Sequence, residues 1–148
     1  MISGEFLKII IDADACPVVD ITVNTAKERG IECIIVCDNT HSIEKDGAKT
    51  IIVDKGADSA DCQIANLTKK GDVIVTQDYG LAALVLGKGG KAINQNGLIY
   101  TDTNIENLLF TRFIGKKERM SGNRTKGPKK RTKANDADFL KALFSCLE

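Results

Sequence analysis

The chain has 148 residues, the length of one ordinary domain with its own hydrophobic core. Its 43% hydrophobic and 28% charged residues, with only 13 glycines and 2 prolines, exclude disordered, collagenous and low-complexity proteins. The net charge is +1, and no apolar run approaches the roughly 20 residues that cross a bilayer. We therefore expect a globular protein with a single domain at 1–148 and no membrane segment.

Short runs rich in isoleucine and valine alternate with helical stretches along the chain. This alternation is typical of a parallel sheet covered by helices on both faces. The runs predict strands at 7–12, 32–36, 50–53, 72–76 and 91–93. Helices are predicted from Pro17 to Gly30, from Ala57 to Gly71 and from Tyr79 to Leu86.

The last third of the chain contains a turn signal and two further helices. Asn96-Gly97 predicts a turn that folds 98–100 back as a small hairpin. Thr103 or Asn104 caps a helix through Leu109, and a final amphipathic helix covers 139–147. The predicted fold class is α/β, a three-layer α/β/α sandwich with a mostly parallel central sheet.

Aspartates recur where predicted strands end and helices begin. In an open α/β sheet, ligands bind beyond the carboxyl ends of the strands, so we expect these side chains to converge. Two residues apart on an extended segment, as at 12 and 14, carboxylates point to the same side within roughly 7 Å. The aspartates in question are Asp12, Asp14, Asp38, Asp58, Asp61 and Asp78.

Carboxylates gathered in one cleft repel one another, and a divalent cation compensates for that repulsion. Ligands that are all oxygen favour Mg²⁺ or Mn²⁺, which polarise a phosphate and activate water for phosphodiester hydrolysis. Asp12, Asp14 and Asp78 are the predicted catalytic residues. The predicted metal ligands are Asp12, Asp14, Asp58, Asp61 and Asp78.

Each aspartate also has a purely structural interpretation, because aspartate is a preferred helix cap and stabilises the positive end of the helix dipole. Asp58 with Asp61 is nearly a capping box, and Asp78 can cap the helix that begins at Tyr79. Asp38 suits either interpretation. Asp54 and Asp72 are interpreted as residues of surface turns.

Neighbouring residues offer further chemistry at the same sites. Cys16 lies near a helix start, which stabilises a thiolate, but the aspartates before it oppose that charge. His41, the single histidine, is not an evident base, so thiol catalysis is disfavoured. Thr76 and Gln77 are candidates to position water or phosphate.

The five cysteines form no C-x-x-C pair, which argues against structural zinc. Cys33 and Cys37 lie in an apolar run typical of a buried strand, where a free thiol behaves as a small apolar side chain. A reduced, cytoplasmic compartment fits this pattern best.

Positive charge is concentrated between Arg112 and Lys133, a segment that contains ten basic residues and one acidic residue, Glu118. This segment, which we expect to be mobile, attracts phosphate polymers through an electrostatic effect that weakens with salt. A solvated loop without a partner is an equally good interpretation. The predicted nucleic-acid contacts are Arg124, Lys126, Lys129, Lys130 and Arg131.

Four motifs stand in order along nearly the whole chain: Ile11-Asp-Ala-Asp-Ala-Cys-Pro-Val18, Gly56-Ala-Asp-Ser-Ala-Asp61, Val75-Thr-Gln-Asp78 and Arg124-Thr-Lys-Gly-Pro128. Together they resemble the motifs of the YaiI/YqxD family of bacterial proteins, also called UPF0178 or DUF188. That family is grouped with PIN-like domains, so the resemblance implies an α/β/α sandwich whose acids bind magnesium or manganese for nuclease activity. The chain departs from the family pattern at Tyr79-Gly80 and at Gln95-Asn-Gly97.

Three functions remain open. The first is a metal-dependent nuclease that hydrolyses RNA or another phosphate polymer, with Mg²⁺ or Mn²⁺ as cofactor. The second is a nucleic-acid-binding or regulatory protein that keeps the fold and the basic segment without catalysis. The third is a phosphatase of the haloacid dehalogenase type, which Asp12-x-Asp14 after a strand suggests. Cys16 stands where that motif has threonine or valine, and the length for a cap domain is missing.

Overall fold

The computed structural model describes residues 7–14, 16–39, 43–54, 59–120 and 130–148. The strands of this described part are β1 (Lys8–Asp12), β2 (Glu32–Asp38), β3 (Lys49–Val53), β4 (Val73–Val75), β5 (Lys91–Ile93) and β6 (Ile99–Tyr100). They form one sheet in the order β3-β2-β1-β4-β5-β6. All neighbouring pairs are parallel except β5 and β6, which are antiparallel.

Helices cover both faces of this sheet. They are α1 (Val19–Arg29), α2 (Ser59–Leu67), α3 (Tyr79–Gly87), α4 (Asp102–Met120) and α5 (Lys133–Leu147). The α1 and α5 helices pack in one hydrophobic cluster with Ile9 and Ile11, whereas α2, α3 and α4 pack in a second cluster with Ile10. Because successive strand residues point to opposite faces, this alternation along β1 separates the two cores. The predicted three-layer α/β/α architecture is confirmed.

The strand order contains a reversal of direction beside β1. The chain runs outward from β1 to β2 and β3, crosses back over the sheet through α2, and then proceeds from β4 to β5 on the other side. Such a switch point opens a crevice beyond the carboxyl ends of the two central strands. The residues that follow β1 and β4 therefore face each other across it.

Several element boundaries match the predictions closely. The β5 strand occupies the predicted residues, the Asn96-Gly97 turn produces the β5–β6 hairpin, and Gly30 ends α1 in the left-handed conformation with φ of 66°. Cys33 and Cys37 are buried in β2, as predicted.

Several local predictions differ from the structure. The cap of α4 is Thr101, whose hydroxyl accepts a hydrogen bond from the Asn104 N–H at 3.1 Å. This helix continues to Met120, so part of the basic segment is helical. Asp72 is not a surface residue: it is 1% exposed, and its carboxylate binds the Lys8 ammonium at 2.6 Å and the Lys69 N–H at 2.8 Å.

Candidate acidic site at the carboxyl edge of the sheet

Asp12 lies at the centre of the candidate site because it ends β1 at the switch point of the sheet. Its Oδ2 accepts a hydrogen bond of 2.8 Å from the hydroxyl of Thr76, the residue that follows β4. The two central strands are thus joined by a side-chain bond where the crevice opens.

Two further aspartates lie close enough to act on Asp12 electrostatically. Burial raises the pKa of the Asp12 carboxyl, the Thr76 hydrogen bond lowers it, and the charges of Asp14 and Asp78 raise it further. The structure therefore brings together the three acids that were predicted to be catalytic, and their mutual repulsion is felt at Asp12.

Thr76 is the buried hub of this cluster. Its side chain, on a residue only 2% exposed, donates to Asp12 and accepts from the Asp78 N–H at 3.0 Å. Its backbone N–H donates to the Ile93 carbonyl of β5 at 3.0 Å. Its carbonyl accepts from the Tyr100 hydroxyl of β6 at 3.2 Å. The backbone of Thr76 is thus fixed by β5 and β6, and its hydroxyl is oriented by its bonds to Asp12 and to the start of α3.

Tyr100 is a site residue that the sequence did not reveal. Its ring is buried and packs edge-on against Tyr79, with the ring centroids 6.1 Å apart. Burial raises the pKa of its hydroxyl, and the charge of Asp78 acts in the same direction, so the group stays a hydrogen-bond donor. The turn signal predicts the hairpin that carries it, but nothing local to Tyr100 indicates that its hydroxyl reaches β4.

Asp78 and Asp14 also perform structural tasks. The Oδ1 atom of Asp78 accepts from the N–H groups of Gly80 at 2.8 Å and Leu81 at 3.2 Å, so it caps α3 as the structural interpretation predicted. The Oδ1 atom of Asp14 accepts from the Asp38 N–H at 3.4 Å. Asp78 therefore both caps α3 and belongs to the acidic cluster.

The remaining predicted ligands come from the segment after β3. Asp61 is in the first turn of α2, whose start follows the carboxyl end of β3 and so belongs to the same edge of the sheet. Asp58 lies outside the described residues, as does His41. In the described ranges, no three histidine, cysteine, aspartate or glutamate side chains form a ready metal-binding group.

Cys16 lies beside the acids and is partly buried. Burial raises the pKa of its thiol, the Val18 backbone lowers it, the charge of Asp12 raises it and that of Arg131 lowers it. A protonated thiol is a weak nucleophile, and the absence of a catalytic role for this cysteine stays a prediction. All five cysteines are free thiols.

The predicted nucleic-acid contacts are described only at their C-terminal end, since Arg124, Lys126 and Lys129 lie outside the described residues. Lys130 is exposed. Arg131 is 24% exposed, and its guanidinium binds Asp136, the Asn96 side chain and the Gln95 carbonyl. None of the helices in the described segments is both long and apolar enough to span a membrane.

Comparison with known proteins identifies similar chains. Residues 10–148 match the family model described as "Uncharacterized BCR, YaiI/YqxD family". The chain is 52% identical to a UPF0178 protein of Ruminiclostridium cellulolyticum, over 93% of this chain and 90% of that one. It is also 52% identical to a UPF0178 protein of Exiguobacterium sibiricum, over 95% and 96% of the two chains, and 46% identical to one of Bacillus anthracis, over 95% and 98%. No solved structure matches this chain.

Proposed function

The chain belongs to the YaiI/YqxD family, and we propose that it is a divalent-metal-dependent nuclease that hydrolyses RNA phosphodiester bonds. The observation that carries this proposal is the position of Asp12. It ends a central strand at the switch point of the sheet, it is hydrogen-bonded to Thr76, and it feels the charges of Asp14 and Asp78.

Magnesium or manganese suits the donor chemistry of this edge. Asp12, Asp14 and Asp78 offer only carboxylate oxygens, which hard divalent cations prefer. A cation there offsets the repulsion that raises the pKa of Asp12. These three residues would hold the ion, with Asp58 and Asp61 as the other predicted ligands. When bound, such an ion polarises a phosphate and lowers the pKa of water.

The protein's own groups supply orientation. Thr76 fixes one oxygen of Asp12 through its hydroxyl, and Tyr100 fixes the backbone of Thr76 from the neighbouring strand β6. A carboxylate held in this way loses little freedom when it binds a ligand. Basic residues at 124–131 would supply attraction to the RNA backbone.

Calorimetric titration of manganese and magnesium into metal-stripped protein tests the proposal. We expect binding by the wild type and its loss in Asp14→Asn and in Asp61→Asn. Asp54→Asn is the matched control, because Asp54 is an exposed aspartate just after β3 that we do not place in the site. Full affinity in the Asp14 and Asp61 variants would contradict the metal site.

Cleavage of labelled single-stranded RNA in manganese tests the catalytic step itself. The expected result is cleavage by the wild type that chelator abolishes and that Asp14→Asn lacks, because asparagine keeps the shape of the side chain and loses its negative charge. Manganese binding without cleavage of any RNA offered would separate metal binding from nuclease activity.

A second candidate is a nucleic-acid-binding protein without catalysis. It is favoured by one observation: the described acids already accept protein hydrogen bonds, and no three of them form a ready metal-binding group in the described ranges. Salt-dependent RNA binding by a protein that takes up no manganese would support this candidate against the nuclease.

A further inference from the structure

One face of α5 is exposed to solvent along the whole helix. Phe139, Leu143 and Cys146 pack in the hydrophobic core, whereas residues three or four positions apart on the opposite side of the helix are exposed. Because α5 has 15 residues, this outer face is about 22 Å long. Its exposed residues are Lys133, Ala134, Ala137, Asp138, Lys141 and Ser145.

The charges of the outer face alternate in sign along the helix. From the start of α5 to its C-cap, the exposed charged residues are Lys133, Asp138, Lys141 and Glu148. The other charged residue of the described α5, Asp136, binds the Arg131 guanidinium at 2.7 Å instead. The signs therefore run plus, minus, plus, minus, and turning the helix end for end gives the complementary order. A face with this property matches a second copy of itself in the antiparallel direction.

A twofold axis level with the midpoint of residues 139 and 140 pairs these charges. It places Asp138 of one copy opposite Lys141 of the other and repeats the same contact in reverse, which is the reciprocity of an isologous interface. In this register, Lys133 of one copy comes within about 3 Å of Glu148 of the other along the helix axis. One arrangement therefore satisfies all the exposed charges of the face.

A partly apolar groove lies beside the outer face. It has a volume of about 520 Å³ and is bounded by α5 and the β5–β6 hairpin. Leu98 and Ile99 of the hairpin, each 37% exposed, line it together with Ala142. Since exposed ion pairs contribute little affinity, a stable pair of helices also needs apolar surface to bury. The groove supplies such surface next to Asp138 and Lys141.

We propose that the outer face of α5 is a dimerisation surface, against which a second copy of this chain packs its own α5 in the antiparallel direction. The helix begins at the carboxyl edge of the sheet, where Arg131 binds the Gln95 carbonyl, and ends at the amino edge, where Lys91 donates to the Cys146 carbonyl at 2.9 Å. Antiparallel pairing therefore places the two acidic sites at opposite ends of the dimer. The inference does not depend on nuclease activity or on metal binding.

Sedimentation equilibrium over a range of protein concentrations tests the proposal with two charge-reversal variants. D138K leaves two positive charges at the centre of the face and K141E leaves two negative ones, so each variant sets like charges opposite each other in its own dimer. Both positions are exposed, and lysine and glutamate are good helix formers, so the variants should fold. Far-UV circular dichroism and the melting temperature check this for each chain.

E106K is the matched control for the change in net charge. Glu106 is exposed on α4, which packs on the other face of the sheet, and its replacement changes the charge by the same amount as D138K. We therefore expect E106K to dimerise like the wild type.

We expect a wild-type dimer whose dissociation constant rises with salt, and rises about tenfold or more in D138K and in K141E, because two ion pairs become two repulsive contacts. An equimolar mixture of D138K and K141E should recover the wild-type affinity as a heterodimer, because the positive centre of one chain meets the negative centre of the other. A wild-type chain that stays monomeric at every concentration would overturn the proposal. So would a dimer whose affinity is unchanged in the two folded variants, or a mixture of them that stays monomeric.

Discussion

Thr76 is the residue on which the geometry of the acidic edge depends most directly. Its hydroxyl is the one group bonded to both the Asp12 carboxylate and the Asp78 backbone among the contacts described above. A buried hydroxyl with both a donor and an acceptor partner is costly to remove, because two protein groups then lose their hydrogen bond.

Thr76→Val tests this dependence. Valine keeps the β-branched shape of the side chain but has no hydroxyl, so we expect a loss of about 1–3 kcal/mol in the free energy of unfolding. We also expect about 10–100-fold weaker manganese binding, as for other groups that orient a metal ligand. Thr76→Ser, which keeps the hydroxyl, is the control. Urea denaturation and calorimetry measure both effects, and equal metal affinity in the two variants would contradict the orienting role.

The surroundings of Asp12 disfavour the ionised form of its carboxyl, because the group is buried and lies near two other acids. Since its folded-state pKa lies above the ordinary value, the folded protein binds a proton here more readily than the unfolded chain does. The contribution of this group to stability therefore falls as pH rises from the ordinary aspartate pKa through the raised one. The whole penalty is present once the pH lies above the raised pKa.

Asp12→Asn is accordingly expected to stabilise the metal-free protein. Asparagine keeps an oxygen for the Thr76 hydroxyl and carries no charge, so the melting temperature at pH 7 rises, by about 2–4 °C for each kcal/mol gained. The gain shrinks as pH falls from the raised pKa of Asp12 to the ordinary aspartate value, and it is absent below that value. Calorimetric melting in chelator checks both statements, and a melting temperature lowered at every pH would refute them.

Individual site residues differed in how far sequence could predict them. Asp12, Asp14 and Asp78 were predictable because each follows a strand, and parallel strands end at one edge. Asp72 was misread because its sequence neighbours are polar, whereas its burial depends on Lys8, 64 positions away in β1. Tyr100 was missed for the same reason: its partner Thr76 is 24 positions away, across the sheet.

At the scale of elements, the turn between β5 and β6 is fitted closely to α5. Gly97 has φ of 90°, and a β-carbon there would lie 2.5 Å from the Asp138 carbonyl of α5. Both the backbone conformation and the helix contact therefore require glycine. The same turn carries the Asn96 side chain that holds Arg131.

Gly97→Ala is expected to destabilise the protein by about 1–3 kcal/mol, because alanine is strained at this φ and clashes with helix backbone. Gly87→Ala is the control: its β-carbon meets nothing within 4 Å. Alanine there is neutral or stabilises by up to about 1 kcal/mol. Urea midpoints of the two variants measure the difference. Equal midpoints would mean that the turn moves away from α5 at no cost.

Elements were predictable where their pattern is local. Runs of isoleucine and valine marked the strands, and Gly30 marked the end of α1. The end of α4 was less visible, because the apolar spacing stops near Leu109 while the helix continues to Met120. Its cap was misplaced since Thr101, Thr103 and Asn104 are all capping residues, and only the reciprocal bonds of Thr101 with Asn104 decide between them.

At the scale of the whole molecule, the two ends of the central strands differ in how their charged side chains are paired. At the amino edge, Lys8 and Asp72 form a pair whose side chains are 12% and 2% exposed. At the carboxyl edge, Asp12 faces other acids. One edge holds an ion pair and the other holds a cluster of like charges, about 13 Å apart along β1.

Asp72→Asn is expected to cost about 3–5 kcal/mol of unfolding free energy, because it leaves the Lys8 ammonium buried without its partner charge. The loss should add to the effect of Asp12→Asn within about 0.5 kcal/mol, since the two sites share no partner and are well separated. A double-mutant cycle in urea measures this. Strong coupling between the edges would contradict the division of roles.

The position of α5 in the chain has a consequence for how the protein is made. The described strands are all synthesised before α5, so the apolar side chains that pack against Phe139 and Leu143 are exposed until α5 forms. Chaperones can bind exposed apolar surface of this kind. Arg131 directly precedes this helix, and its guanidinium binds Asp136 within the helix and Asn96 in the β5–β6 turn. These contacts therefore form only after all the described strands have been synthesised.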